Sequence, residues 1–204
     1  MSPAYWHQAM ADLSARDPIL ARLIHQHRMS RLRPRGDAFV TLARAIVGQQ
    51  LSVKAAQSIW QRLLQAVGSI EPHAIAATRI GQLRCHGLST NKARYLIELA
   101  KRFVDGSLDD ANWRHCKDEE VIRQLTGVKG IGRWTAEMFL IFSLLRPNVL
   151  PLDDGGLQRA MRLHYNDGKP LSKRKVQRIT RAWHPWCTVA TWFMWRSLDA
   201  SPVA

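Results

Sequence analysis

The sequence predicts an all-α fold, and three observations lead to that expectation. Apolar residues recur at spacings of three and four along most of the 204 residues, which is the period of an amphipathic helix. No stretch shows the sustained alternation of apolar and polar residues that marks a half-buried strand. Glycines fall between the periodic stretches, where a turn favours a residue that tolerates positive φ.

The segment that follows Ser52 shows the helical pattern most clearly. Ser52 is suited to cap a helix N-terminus, and Gly68 is suited to end the same helix. Its predicted apolar face consists of Val53, Ala56, Trp60, Leu63, Leu64 and Val67. The other expected helices cover residues 17–28, 37–48, 90–104, 118–125, 133–145, 155–164, 172–183 and 186–198.

The charge of the chain points to a polyanionic partner. Thirty Lys and Arg residues against sixteen Asp and Glu give a formal net charge of +14. Nucleic acid is the expected partner, because its phosphates are dense and their neutralisation releases counterions. A membrane surface is the rival partner, but the longest nearly apolar stretch, 138–145, is far too short to span a bilayer. The opening residues show no signal-peptide pattern, so we expect a cytoplasmic protein, associated with the nucleoid if it is bacterial.

The three cysteines, Cys85, Cys116 and Cys187, predict neither a disulfide framework nor a metal site. They stand far apart and are odd in number. Cys85 and Cys116 each adjoin a histidine, but adjacent residues are poorly placed to ligate one ion, and no CxxC or HxxxH spacing occurs.

One predicted helix carries a run of cations. Lys173, Arg174 and Lys175, with Arg178 and Arg181, form a basic face. A solvated surface and a DNA contact explain this face equally well at this stage.

The most informative segment is LTGVKGIGRWTAEM, residues 125–138, in which one helix ends and another begins at once. We expect Gly127 to end the first helix in a left-handed conformation. Gly130 and Gly132 allow a tight turn with no Cβ between the backbone and a ligand. The second helix then presents its free N–H groups and the positive end of its dipole, which suits a phosphate. A plain turn between two helices is the alternative.

Two carboxylates, Asp153 and Asp154, precede the helix expected from Gly155. Local chemistry alone makes either of them a suitable N-cap, so their position does not by itself indicate catalysis.

The motif GVKGIGRWTA resembles the hairpin of the helix-hairpin-helix DNA glycosylase superfamily, in particular its 3-methyladenine DNA glycosylase II branch. Further segments resemble that family in the same order along the chain: IVGQQLSVKAA (46–56), GLSTNKARYLIELA (87–100), LPLDDGGLQRA (150–160) and HPWCTVATWFMWRSL (184–198). The resemblance implies a two-lobed all-α fold with a DNA-binding cleft between the lobes. One lobe, 38–149, would carry the hairpin, and the other would combine 1–37 with 150–204. Larger relatives have an additional N-terminal domain, so we expect a minimal version of the fold.

The resemblance also implies how the hairpin holds DNA. Main-chain N–H groups of Gly130 and Gly132 would bind a phosphate, with the Thr135 hydroxyl nearby and with charge from Lys129 and Arg133. Family members hold Na⁺ or K⁺ on hairpin carbonyls when DNA is bound, which here implies the carbonyls of Thr126, Val128 and Ile131. No other cofactor is expected, and three scattered cysteines cannot hold the four-cysteine iron–sulfur cluster of some relatives.

Asp154 matches the family's catalytic aspartate, and Asp153 is then the better candidate for the helix cap. A fixed anion at this place can stabilise positive charge on the sugar as the base leaves, or orient the attacking water. Relatives that also cut the strand carry a nucleophilic lysine where this chain has Trp134. We therefore expect base release without strand cleavage.

Trp134 and Trp186 match the walls of the family's base pocket, with Met138 one helical turn beyond Trp134. A single tryptophan is more often a core residue, and most of the eight are expected in the core. Alkylation at purine N3 or N7 makes the base cationic, and an indole face attracts a cation. Cys187 replaces a bulkier polar residue of the family, which leaves the fine base preference open.

Gln50, with Leu51 beside it, matches the wedge that fills the gap left by a base rotated out of the duplex. A helix cap is the alternative role for Gln50. Taken together, the resemblance implies a monomeric, monofunctional glycosylase of base excision repair that removes bases such as 3-methyladenine and 7-methylguanine from double-stranded DNA, with no membrane partner. A glycosylase for oxidised or mismatched bases and a non-catalytic DNA-binding module are the alternatives.

Overall fold

A computed structural model describes residues 2–199 and confirms the all-α fold class. In this part of the chain the helices are α1 (Trp6–Arg16), α2 (Pro18–Gln26), α3 (Ala38–Gly48), α4 (Val53–Val67), α5 (Pro72–Ala77), α6 (Ile80–Cys85), α7 (Thr90–Val104), α8 (Asp110–Trp113), α9 (Asp118–Thr126), α10 (Arg133–Phe142), α11 (Gly155–Asn166), α12 (Lys173–Trp183) and α13 (Cys187–Arg196). Within the same residues, none of them combines the length and the apolar character needed to cross a bilayer.

Every helix predicted from periodicity is present, and four further helices escaped prediction. Three of these four, α5, α6 and α8, have only six, six and four residues, which is too short to display a helical period. The fourth, α1, begins after Tyr5, which makes no side-chain capping bond, and its first turn holds no acidic residue. The usual signals of a helix start are therefore missing there.

The structure confirms the ends of α4 but corrects its buried face. The Ser52 hydroxyl accepts from the Ala55 N–H at 3.3 Å, and Gly68 follows the helix at φ +75°. Val53, expected on the apolar face, is 84% exposed. The buried residues of α4, Ile59, Trp60 and Leu63, lie in its middle turns, and its first and last turns hold no buried residue.

The chain divides into two compact units. The hairpin unit comprises Arg35–Phe139, and the terminal unit comprises the described residues up to Pro34 and from Leu140 onward. The sequence placed these divisions at 37/38 and 149/150, whereas the second division falls inside α10. Residue 1 and residues 200–204 of the predicted second lobe lie outside the described residues.

In the hairpin unit, α7 lies at the centre and packs against α3, α5 and α6. A chain of edge-to-face aromatic contacts joins Phe39, Phe103, Trp113 and Phe139, with ring centroids 5.2–5.9 Å apart. The Trp113 indole N–H donates to Gln124 Oε1 at 2.7 Å, so this buried ring keeps its polar atom satisfied.

In the terminal unit, α13 is the central helix. It buries polar and apolar residues around most of its circumference, which is the behaviour of a helix packed on all sides. Its second residue, Thr188, fixes the incoming segment: the hydroxyl donates to the Arg146 carbonyl at 2.6 Å and accepts from the Val149 N–H at 3.0 Å. The chain that leads to Asp154 is thereby tied to α13.

Asp17 joins three helices of the terminal unit through one buried carboxylate. Its Oδ1 accepts from the Ile19 and Leu20 N–H groups and so caps α2. Its Oδ2 accepts from the Tyr165 hydroxyl on α11 at 2.6 Å and from the Trp183 indole on α12 at 3.4 Å. Burial, followed by the bond to Asp17, raises the pKa of Tyr165. Because Asp17 is only 6% exposed, losing a donor leaves charge that water cannot reach.

We predict that Tyr165→Phe lowers the free energy of unfolding by about 1–3 kcal/mol, because one donor to the buried carboxylate is lost. The matched control is Tyr95→Phe, since the Tyr95 hydroxyl has no hydrogen-bond partner among the described residues. The control should change stability by less than about 0.5 kcal/mol. Equal losses in chemical denaturation would contradict a special role for Asp17.

Candidate functional site

The hairpin between α9 and α10 differs from expectation at its first glycine. Gly127 adopts right-handed helical angles, φ −66° and ψ −18°, so the predicted left-handed helix end is wrong. The reason for a small residue is close approach instead. A Cβ on Gly127 would lie 3.2 Å from the Gln124 carbonyl oxygen and 3.3 Å from Arg102 Nη1. Arg102 uses this space to donate to the Gly127 carbonyl at 2.7 Å.

Gly130 and Gly132 shape the rest of the hairpin in different ways. Gly130 has φ +88°, and a Cβ there would come within 2.2 Å of the Tyr95 ring, so no other residue fits. Gly132 is exposed, and its added Cβ would meet nothing within 4 Å. It therefore leaves open the space beside the first turn of α10. Val128 and Ile131 are buried and anchor the loop.

Lys129 and Arg133, the two cations of the hairpin, differ in whether carboxylates already bind them. Lys129 is exposed, and its ammonium group has no partner among the described residues. The Arg133 guanidinium binds both oxygens of Glu119 and, through Nε, Glu137 at 3.0 Å. The bonds to Glu119 raise the pKa of Arg133 and lower that of Glu119. The charge of Arg133 is thus already matched by carboxylates, whereas that of Lys129 is available to a ligand.

The predicted cation ligands lie where α9 ends and the turn begins. Thr126 is the last residue of α9, and its hydroxyl donates back to the Ile122 carbonyl at 2.8 Å. The Val128 carbonyl accepts from the Ile131 N–H at 3.1 Å, which closes the turn. Thr135, half-buried, lies in the first turn of α10.

The loop between α3 and α4 presents Gln50 on the surface. Gln50 is exposed and has φ +56°, and Leu51 is 39% exposed. Ser52 caps α4 and Gln49 occupies the C-cap of α3, so Gln50 caps neither helix. The observed geometry leaves the Gln50 side chain available for contact with a ligand.

Two residues that sequence reasoning missed hold this loop in place. Lys92 on α7 donates to the carbonyls of Val47 at 2.9 Å and Gln49 at 2.6 Å, and its partial burial lowers its pKa. The Gln49 amide donates to the Gly130 carbonyl at 2.6 Å. The loop that carries Gln50 is therefore bonded directly to the hairpin. The only signal in the sequence was the position of Lys92 inside a family-like segment.

In the terminal unit, Asp154 is the N-cap of α11. Its Oδ1 accepts from the Leu157 N–H at 2.7 Å and from the Trp195 indole N–H at 2.7 Å. The expectation that Asp153 caps this helix is wrong, because the backbone of Asp154 occupies the cap position and Asp153 is exposed. Asp154 thus has the capping role that was predicted for Asp153.

Trp195 is a site residue that the sequence did not single out. Its ring stacks on Phe142 with centroids 5.8 Å apart and an interplanar angle of 13°. A Cβ on Gly156 would lie 3.1 Å from Asp154 Oδ1 and 3.2 Å from the Trp195 ring. The paired glycines that follow Asp154 were the available signal, since they mark a place where another group approaches the backbone closely.

The predicted pocket residues fall into both units. Trp134, 48% exposed, and half-buried Met138 lie one turn apart on α10 in the hairpin unit. Trp186 belongs to the terminal unit, where it stacks on Tyr5 at 5.8 Å and donates to Asp12 Oδ2 at 2.8 Å. That bond is the main reason why the pKa of Asp12 is lowered.

Several of the other tryptophans and one cysteine lie in the core. Trp6, Trp60, Trp113 and Trp183 are buried, so half of the eight tryptophans lie in the core and not most of them, as was expected. Cys187 is also fully buried, and burial raises the pKa of its thiol to about 12. Cys187 is therefore a core residue of the terminal unit.

Comparison with known proteins identifies the family of the chain. Residues 43–185 match the family described as "HhH-GPD superfamily base excision DNA repair protein". The chain is 32% identical over 167 residues to YfjP of Bacillus subtilis, covering 78% of this chain but only 58% of that protein.

Two solved structures are similar over most of their length. A DNA-3-methyladenine glycosidase from Bacillus halodurans has a TM-score of 0.86 and 34% identity, with 93% of this chain and 88% of that one covered. The 3-methyladenine DNA glycosylase Mag1 of Schizosaccharomyces pombe, solved in complex with abasic DNA, has a TM-score of 0.79 and 30% identity, with 95% and 98% covered. The chain belongs to the HhH-GPD superfamily of base excision DNA repair proteins.

Proposed function

We propose that the chain is a monofunctional DNA glycosylase that hydrolyses the N-glycosidic bond of alkylated purines and leaves an intact abasic site. The observation that carries this proposal is the Asp154 carboxylate, fixed by two hydrogen bonds at the family's catalytic position. The names of the two solved relatives support the substrate class, since one is a DNA-3-methyladenine glycosidase and the other is a 3-methyladenine DNA glycosylase. The abasic DNA bound to the fission-yeast protein is the kind of product that base removal leaves.

Asp154 would act as a preorganised anion. As the glycosidic bond breaks, the bonding electrons leave with the base and positive charge develops on the sugar. A carboxylate already held by the Leu157 and Trp195 N–H groups faces that charge without reorganising. Groups fixed in this way contribute roughly 3–4 kcal/mol to transition-state stabilisation. The water that attacks the sugar supplies the hydroxyl of the abasic product.

The absence of strand cleavage follows from the residue at the position of the family's lysine. Trp134 has no nucleophilic atom and cannot form a Schiff base with the sugar. We infer that the reaction ends at the abasic site. Its indole ring, like that of Trp186, suits a cationic alkylated base better than a neutral oxidised one.

The hairpin would bind one phosphate of the DNA backbone. The first N–H groups of a helix have no partners within it, and beside those of α10 a Cβ added to Gly132 would meet nothing within 4 Å. Lys129 adds a cation available to a ligand, and the Thr135 hydroxyl lies in the same turn. Arg133 contributes its backbone N–H more readily than its side chain, which Glu119 and Glu137 already hold.

A monovalent cation would be held by the carbonyls of Thr126, Val128 and Ile131. Carbonyl oxygens are the hard donors that alkali ions accept, and the Thr126 carbonyl lies at the negative end of the α9 dipole. An ion bound there would supply positive charge next to the phosphate. We propose Na⁺ or K⁺ with DNA bound, and no other cofactor.

Gln50 would fill the gap left by the rotated nucleotide, with Leu51 beside it. A side chain that replaces a base must resist being pushed back, and the bonds from Lys92 and Gln49 provide that resistance. The left-handed conformation of Gln50, which costs roughly 1–3 kcal/mol for a non-glycine residue, is maintained by these contacts.

We predict that the purified protein releases 7-methylguanine and 3-methyladenine from methylated duplex DNA and leaves the strand unbroken. Free base is measured by chromatography, and strand breaks are measured by denaturing electrophoresis before and after hot alkali. Breaks should appear only after alkali, which cleaves abasic sites.

The same assay separates the alternatives. Release of 8-oxoguanine in preference to methylpurines would indicate the glycosylase for oxidised bases. DNA binding with no release of any base would indicate a non-catalytic module. Breaks that appear before alkali treatment would contradict the role inferred from Trp134.

We predict that Lys129→Ala weakens binding to every duplex sequence and reduces the dependence of log K on log salt by about one unit. The matched control is Lys101→Ala, which removes an exposed lysine of the same unit outside the hairpin. The slope of the control should stay at the wild-type value. Identical slopes for the two variants would remove Lys129 from the phosphate site.

A further inference from the structure

The basic face of α12 borders a groove in the terminal unit. The groove has a volume of about 960 Å³, and its lining includes Arg174, Lys175, Arg178, Arg181 and His184. Among the described residues, no acidic side chain lines it. A lining that combines four Lys and Arg side chains with no carboxylate suits an anion.

The groove is a fixed feature of the fold. Ile179 and Trp183 of α12 are buried, and the Ser172 hydroxyl caps the N-terminus of the helix by accepting from the Lys175 N–H at 3.2 Å. Lys175 is held by the Asn166 side chain at 2.6 Å, a neutral partner that leaves its charge uncompensated. The helix therefore holds its cations in a defined arrangement.

This arrangement is unfavourable for the isolated protein. Lys173, Arg174 and Lys175 occupy the first turn of α12, where the helix dipole disfavours cations. Arg174 and Arg178 are four residues apart, and Arg178 and Arg181 are three apart, so like charges are neighbours on one face. Within residues 2–199 these three arginines form no hydrogen bond or ion pair. A face that served only to be solvated would gain from interspersed carboxylates.

The spacing of the arginines fits a nucleic-acid backbone. Arg174 and Arg181 are seven residues apart, which is about 10 Å along a helix. About 10 Å of duplex axis carries about three phosphates of one strand. The three arginines therefore lie close enough together to contact neighbouring phosphates of a duplex.

The groove also adjoins the site residues along the chain. Leu150 in its lining precedes Asp154 by four residues, and His184 precedes Trp186 by two. We propose that the α12 groove is a second binding surface for the phosphate backbone of duplex DNA, separate from the hairpin and carried by the unit that contains Asp154. The proposal rests on the proposed function for its choice of DNA as the partner.

The test compares two triple variants with equal loss of charge. Arg174→Gln/Arg178→Gln/Arg181→Gln removes the groove cations. Arg28→Gln/Arg84→Gln/Arg114→Gln removes three exposed arginines outside the groove. Binding to an undamaged DNA duplex is measured between about 50 and 200 mM KCl, where each phosphate contact contributes about 0.9 to the slope of log K against log salt.

The groove variant should reduce the slope by two to three units, about 0.9 per lost contact, and the control should leave it near the wild-type value. The single variant Arg178→Gln should reduce it by about one unit. Equal slopes for the two triple variants would overturn the proposal. A loss seen with duplex RNA but not with duplex DNA would overturn it in favour of another polyanion.

Thermal unfolding of the variants and base release by the wild type separate the remaining explanations. Thermal unfolding should show the groove variant as stable as wild type or more so, because like-charge repulsion is removed; a loss of stability would indicate a structural role instead. Binding to undamaged DNA does not depend on base release. Failure of the wild type to release any base would therefore contradict the proposed function and leave this test intact.

Discussion

The hydrogen bonds to Asp154 Oδ1 are the interaction on which the rest of the site depends. The same oxygen caps the N-terminus of α11 by accepting from the Leu157 N–H, and it accepts from the indole N–H of Trp195 on α13. Gly156 has no Cβ and so leaves space for the contact between Asp154 and Trp195. Phe142 stacks on the indole ring, and Thr188 binds the segment that precedes Asp154 to α13. A carboxylate held in this way has one orientation, which is what electrostatic stabilisation of a developing charge requires.

Side-chain hydrogen bonds also fix the loops of the hairpin unit, but there the side chains donate and the main-chain carbonyls accept. There, cationic and amide side chains donate to main-chain carbonyls at helix ends and in the hairpin turn. Arg102 holds Gly127, Lys92 holds the end of α3, and Gln49 joins its loop to Gly130. Each contact satisfies a carbonyl that no further helical turn pairs, and together the contacts fix these loops to the neighbouring elements of the hairpin unit. Rigid loops spend less binding energy on ordering when the ligand arrives.

Much of the fold could be predicted from sequence because helical periodicity is a local signal. The long helices α3, α4, α7 and α12 were predicted with nearly correct ends, and Ser52 and Gly68 bounded α4 as expected. Short helices and the conformation of Gly127 could not be predicted, since both are decided by tertiary contacts such as that with Arg102. In the site, motifs indicated Asp154 and the hairpin. Trp195 and Lys92 were missed because their partners are distant in sequence, as was Asp12, the partner of Trp186.

The most direct test of the account is Asp154→Asn, measured for both unfolding and single-turnover base release from methylated DNA. Asparagine caps a helix about as well as aspartate, so the free energy of unfolding should change by less than about 1 kcal/mol. DNA binding should persist, because the hairpin is untouched. Base release should fall by at least about a hundredfold, because only the fixed negative charge is lost. Release at close to the wild-type rate, with the variant folded and bound to DNA, would contradict the central claim that Asp154 drives the reaction.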